Sequence, residues 1–260
     1  MNSEKKRVHI VPPYLLNPTN PISVNLIGAG GTGSQMLTAL ARINHSLNTL
    51  GHAGLHVRVF DDDLVQPANL ARQLFTENEI GLNKGVALIN RINRFFGTNW
   101  KAVSERFTKG KNSAANITLC CVDTIGARIE IDEILHAKQK QTQRDSNIYF
   151  LDFGNSKDSG QMVLSTVGEI KQAQSERFAT IGILPSLVDD YREMLAEGGE
   201  LDETPSCSLA EALNKQDLFI NSVLANMGAS FLWQMLRVGI IENRGFFLNL
   251  GSFRTQQIPV

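Results

Sequence analysis

The chain has 260 residues, with 25 Lys and Arg against 26 Asp and Glu, 5 His and 3 Cys. A formal net charge of -1 gives no bulk attraction for nucleic acid, whose affinity comes largely from neutralised phosphates, and no apolar run approaches the roughly 18 residues a membrane span needs. The cysteines include an adjacent pair, Cys120-Cys121, and no CxxC spacing, which argues against a disulfide framework and against zinc and fits a reducing cytoplasm.

Residues 1–21 form a lead-in whose charged start runs into Pro12-Pro13 rather than an apolar stretch, unlike a secretory signal. Pro12, Pro13, Pro18 and Pro21 should break any regular element there. Residues 22–260 read as one domain, with a nucleotide-binding part over 22–152 and a C-terminal part over 153–260. A β-rich run, Ile22 to Ile27, leads into Gly28-Ala29-Gly30-Gly31-Thr32-Gly33. Met36, Leu37, Leu40, Ala41 and Ile43 then recur at helical spacing. A second strand, Leu55 to Phe60, ends at Asp61-Asp62-Asp63, and a helix is predicted over 79–95. A third strand, Ile117 to Val122, ends at Asp123, and a fourth, Ile148 to Leu151, ends at Asp152. Strands alternating with helices predict an α/β, Rossmann-like fold with a mostly parallel sheet flanked by helices.

The second half is read as a C-terminal strand and helix extension. Gln161 to Leu164 reads as a strand, and 167–205 as an irregular connection with helical hints near 185–196 and a break at Gly198-Gly199. A helix is predicted over 216–236, with Ile220, Val223, Leu224, Met227, Phe231, Met235 and Leu236 on one stripe that faces either core or a dimer partner. The tail, with runs at 246–250 and 252–255, reads as a hairpin turned at Gly251.

A Gly28-x-Gly30-x-x-Gly33 turn between strand and helix lets backbone N–H groups approach a phosphate, with the helix dipole adding to the attraction. Its default ligand is NAD or FAD, and Asp61 at the next strand end could hold a ribose. A dehydrogenase, however, leaves Asn69, Arg72 and Gln73 unexplained. Arg72 is a forked donor for phosphate oxygens, Asn69 a neutral donor, and Lys84 a point charge. Asp123, at the carboxyl end of a buried strand, suits magnesium, which takes hard oxygen ligands and few of them from protein. Cys120 and Cys121, inside the strand before it, read as core.

Gly28-Ala29-Gly30-Gly31-Thr32-Gly33-Ser34, Asp61-x-Asp63-x-Val65, Asn69-Leu70-x-Arg72-Gln73, Lys84, and Asp123 with Arg128 five residues on resemble the E1-like ThiF/MoeB adenylating superfamily. Pro205 to Leu213 with Gln216 to Asn221 is similar to the ThiF-like proteins of the ParB-related, ThiF-related cassette (PRTRC) systems. The resemblance implies an ATP- and magnesium-dependent enzyme that adenylates the C-terminal glycine of a small ubiquitin-like, β-grasp protein, as a homodimer. It implies that Gly28, Gly30, Gly31 and Gly33 line the nucleotide and that Asp61, supported by Asp63, holds the ribose. Asn69, Arg72, Gln73 and Lys84 would meet the phosphates, and Asp123 the magnesium. Relatives also carry a CxxC zinc pair and an N-terminal arginine segment, and neither is recognisable here.

Cys207 has two readings. Ser208-Leu209-Ala210-Glu211 is a capping-box pattern, which would set Cys207 just ahead of a helix N-terminus, where thiolate is favoured and could take the activated acyl group. It could equally be a small buried residue. Two rivals to the enzyme reading remain, an NAD(P)- or FAD-dependent oxidoreductase and a non-catalytic nucleotide-binding scaffold.

Overall fold

A computed structural model of the chain describes residues 5–109, 114–137, 146–196 and 216–260. Its centre is an eight-stranded sheet. In chain order the strands are β2 (Ile22–Ile27), β3 (Leu55–Phe60), β4 (Lys101–Val103), β5 (Ile117–Cys120), β6 (Tyr149–Asn155), β7 (Ser159–Thr166), β10 (Asn243–Asn249) and β11 (Arg254–Pro259). Their spatial order is β11-β10-β7-β6-β5-β2-β3-β4. The five strands from β4 to β6 run parallel, and β7, β10 and β11 continue the sheet antiparallel. The parallel half carries helices on both faces, so β5 is buried at all four of its positions, as its unbroken apolar run requires.

One face is covered by α2 (Gly31–Thr49), α3 (Lys84–Phe96) and α6 (Ile220–Val238), whose apolar stripes join Leu26, Val59 and Leu119 in the larger core. The other carries α4 (Ile125–His136) and α5 (Val188–Ala196) over Ile27, Phe60, Cys120 and Phe150. Local chemistry sets the helix ends. The Asn83 side chain accepts from Val86 N at 3.0 Å to start α3, and Thr124 accepts from Ala127 N to start α4. Gly97 and Gly239, both left-handed, end α3 and α6. Among the described residues no helix is long and apolar enough to cross a membrane.

The lead-in is more ordered than its prolines imply. β1 (Lys6–Ile10) lies between β8 (Phe178–Thr180) and β9 (Ile240–Ile241) in a small second sheet, and α1 (Pro13–Leu16) follows. Pro13 sits in the first turn of α1, where its missing N–H is no loss. The predicted helix over 79–95 resolves into a 3-10 turn at Glu77–Glu79 and α3, because Asn83 caps a later start. The long C-terminal helix likewise begins at Ile220 rather than 216. Gly198-Gly199 and the Cys207 segment lie outside the described residues.

Candidate active site

A cleft of about 470 Å³ opens at the carboxyl ends of β2, β3 and β5, the edge where open α/β sheets bind ligands. Gly28, Gly30 and Gly31 line it. Gly28 has φ +87°, and a Cβ there would meet the Cys121 carbonyl oxygen at 2.8 Å. Gly33 lies beneath, where a Cβ would come within 1.9 Å of the Gly28 oxygen, so only glycine lets α2 start this close to β2. No side chain caps α2, and the N–H groups of a first helical turn have no intrahelical acceptor. They are free for an anion.

Asp61 shapes the second wall. One carboxylate oxygen accepts from Ala29 N at 2.6 Å and the other from Asp63 N at 2.9 Å, which ties the end of β3 to the glycine loop. Burial pushes its carboxyl above the ordinary carboxylate value, against the Ala29 N–H and the Lys84 ammonium, which pull it down. Lys84 opens α3 and meets Asp63 at 2.7 Å. Its side chain is 9% exposed against 67% for Asp63. Asn83 donates to the Asp61 and Asp63 carbonyls, so the cap of α3 also fixes the acidic loop.

Arg72 and Gln73 enter from the connection between β3 and α3. Ala71, just before them, has φ 69°, a left-handed conformation that costs a non-glycine residue about 1–2 kcal/mol. Arg72 Nε and Gln73 Oε1, on residues that line the cleft, are buried without a hydrogen-bond partner among the described residues. Burial also lowers the Arg72 pKa. A buried polar atom without a partner is costly; the Arg72 guanidinium is a donor suited to phosphate oxygens, whereas the Gln73 Oε1 is an acceptor and calls for a donor instead. Asp123 lines the opposite wall as an exposed carboxylate one residue before the Thr124 cap. Arg128 donates to the Val122 carbonyl, one residue before Asp123, and pairs with the buried Asp152.

Most sequence-expected residues therefore converge: Gly28, Gly30, Gly31, Asp61, Asp63, Arg72, Gln73, Lys84 and Asp123 all line one cleft. Asn69 does not line it. Its amide oxygen accepts from Gln66 N at 2.8 Å in a local capping box. Cys121 lies just past the strand and packs against the larger core without being fully buried. β5 ends at Cys120, and Cys121 is partly exposed on the cleft wall. Cys207 lies outside the described residues. Sequence reasoning gave no role to Gln216, Asn221, Arg106 or Phe107, which line the cleft too. Gln216 and Asn221 are distant in sequence from the glycine loop, and only the packing of α6 on α2 brings them there. Among the described residues no three His, Cys, Asp or Glu side chains converge on a metal site. A magnesium bound mainly by water and substrate phosphates needs only the single carboxylate that Asp123 supplies.

A model of the ThiF family matches residues 16–183. No curated protein matches the sequence. Among solved structures the chain is similar to selenomethionine PaaA, at 14% identity and TM-score 0.58 over 92% of this chain and 72% of PaaA. It is similar to E. coli MccB with ATP, at 13% identity and TM-score 0.53, over 94% of this chain and 64% of MccB. E. coli MccB with selenomethionine MccA gives 14% identity, TM-score 0.54 and the same coverage. The chain thus spans less than two thirds of MccB. The likeness to these structures is one of fold.

Proposed function

The chain belongs to the ThiF family, and from that premise we propose that it is an ATP-dependent, E1-like adenylating enzyme acting on the C-terminal glycine of a small ubiquitin-like, β-grasp protein. One observation supports this reading: the glycine loop, Asp61, Arg72, Gln73, Lys84 and Asp123 line a single cleft at the carboxyl ends of the parallel strands, and Arg72 there meets no carboxylate among the described residues. In the reaction a carboxylate oxygen bonds to the α-phosphorus of ATP. The bond from that phosphorus to the bridging oxygen breaks, and pyrophosphate leaves with the electron pair. Two anions must meet, so positive groups have to offset them. Arg72 and Lys84 do so from one wall and the uncapped turn of α2 from the floor, while Asp61 holds the ribose. Asp123 would hold magnesium, whose charge adds to that stabilisation when bound. Asn69 stays outside the contact set, since it does not line the cleft.

The same reading makes the protein a cytoplasmic homodimer of the PRTRC type, with Cys207 as acceptor of the acyl group from the adenylate and AMP as leaving group. An oxidoreductase would leave Arg72, Lys84 and Asp123 without work. ATP–pyrophosphate exchange with a ubiquitin-like protein ending in glycine tests the proposal. Asp123→Ala should lower exchange by roughly 10²–10³ with an unchanged melting temperature. Tight NAD binding with no ATP binding by calorimetry would refute it.

A further inference from the structure

Gln216 and Asn221 sit at the entry to α6, and their amides form a bonded chain across the cleft floor. Gln216 Oε1 accepts from Arg72 Nη1 at 2.7 Å and from Asn221 Nδ2 at 3.0 Å. Asn221 Oδ1 accepts from Thr32 Oγ1 at 3.0 Å, in the first turn of α2. Gln216 Nε2 donates to the Ser156 carbonyl at 3.3 Å. With its nitrogen committed to a carbonyl, the amide must turn its oxygen to Arg72.

The charge arrangement makes this contact distinctive. Among the described residues lining the cleft, Lys84 faces Asp63, Arg106 faces Glu130 and Arg128 faces Asp152. Arg72 faces the neutral Gln216 oxygen instead and has no carboxylate partner among the described residues. A carboxylate at 216 would grip the guanidinium as well but would cancel its charge. An amide fixes the orientation and leaves the charge for a ligand.

We propose that Gln216, braced by Asn221 and Thr32, is a positioning residue for Arg72 that holds the guanidinium at the cleft for the nucleotide phosphates without neutralising it. The inference rests on the ATP reading above. It places the start of α6, far along the chain from the glycine loop, inside the phosphate-binding apparatus.

The test is calorimetric binding of magnesium–ATP to the unmodified chain, Gln216→Ala, Gln216→Glu, Arg72→Ala and the Arg72→Ala/Gln216→Ala double variant, with thermal melting to check the fold. Gln216→Ala should weaken ATP about tenfold, the scale of one charge-assisted hydrogen bond. Gln216→Glu keeps both acceptor bonds and loses only the solvent-exposed donation to Ser156, so it should stay folded with a small change in melting temperature yet bind ATP more weakly than Gln216→Ala. In the Arg72→Ala background, removing Gln216 should change the dissociation constant by less than about twofold, because its effect passes through Arg72. ATP binding by Gln216→Glu as tight as that of the unmodified chain would overturn the inference. So would a double variant weakened by the full product of the two single effects. Failure of the unmodified chain to bind ATP would instead overturn the nucleotide reading itself, and this inference with it.

Discussion

Gly31→Ala tests how closely α6 is fitted to the glycine loop. A Cβ built on Gly31 lies 2.5 Å from both Cγ and Oδ1 of Asn221 and 2.7 Å from its Nδ2. An ordinary contact is about 3.5–4 Å, so the amide must retreat by about 1 Å. That retreat breaks its bonds with Thr32 and Gln216. Asn221 is only 4% exposed, so water does not replace them. Two buried hydrogen bonds lost at roughly 1–1.5 kcal/mol each give about 2–3 kcal/mol. Alanine in a helix recovers about 0.5–1 kcal/mol over glycine. The net cost should be about 1–2.5 kcal/mol, read by urea denaturation. In an Asn221→Ala background the methyl group has room, and the same substitution should stabilise by about 0.5 kcal/mol. A cost for Gly31→Ala that agrees in the two backgrounds to within about 0.5 kcal/mol would refute the argument, since independent sites add to that accuracy.

Lys84→Met should weaken ATP about tenfold or more by removing a cation from the phosphate wall. It should change stability by less than about 1 kcal/mol, because the Asp63 it leaves behind is solvent-exposed, and a stability loss without an affinity loss would contradict this role. His9 contacts the Ile181 carbonyl and the Tyr149 hydroxyl, and burial lowers its pKa below 6.5. Between the lowered value and 6.5 the unfolded chain holds more protons, so stability should rise with pH through that window and level off above it. His136, raised by Asp132, contributes in the opposite sense, with stability present below 6.5 and lost as pH passes its folded value. His9→Gln should therefore flatten the rise in a pH series of melting curves, and an unchanged slope would exclude His9 as its source. Burial pushes the Cys120 thiol up to about 12 and raises Cys121 as well. Iodoacetamide at neutral pH should nonetheless reach Cys121 before Cys120, because Cys121 is partly exposed on the cleft wall, and ATP should protect it; equal labelling of the two would contradict that placement.

The parallel half of the fold was legible because its signals are local. Ile22 to Ile27 runs straight into the glycines, and Asp61 and Asp123 follow apolar strands, so periodicity and punctuation locate them. The lead-in was not, because β1 is a short strand that exists through its pairing with β8 and β9, which come from distant sequence. Asn69 reads from the sequence as a phosphate donor, yet it lies off the cleft, with its amide oxygen accepting from Gln66 N. Asn and Asp side chains compete for nearby backbone in this way, and composition does not show which partner wins. Cys121 read as strand core because the apolar run continues past the last ladder position at Cys120. The Arg72–Gln216–Asn221 chain could not be read at all. It depends on how α6 lies across α2, and no residue spacing encodes that.

The small sheet around β1 also sets how the protein can be handled. α6 carries the chain from Asn221 in the cleft to Val238, 19 residues of helix from Ile220, or about 28 Å. Glu242 follows at once, and it binds both ends of the described chain. Its carboxylate meets the Lys6 ammonium at 2.6 Å, and its carbonyl accepts from Val260 N at 3.1 Å. Lys6 and Val260 are thereby held at one spot, a helix length from the opening. A dye placed on either residue sits away from the cleft, so binding can be followed without the label entering it.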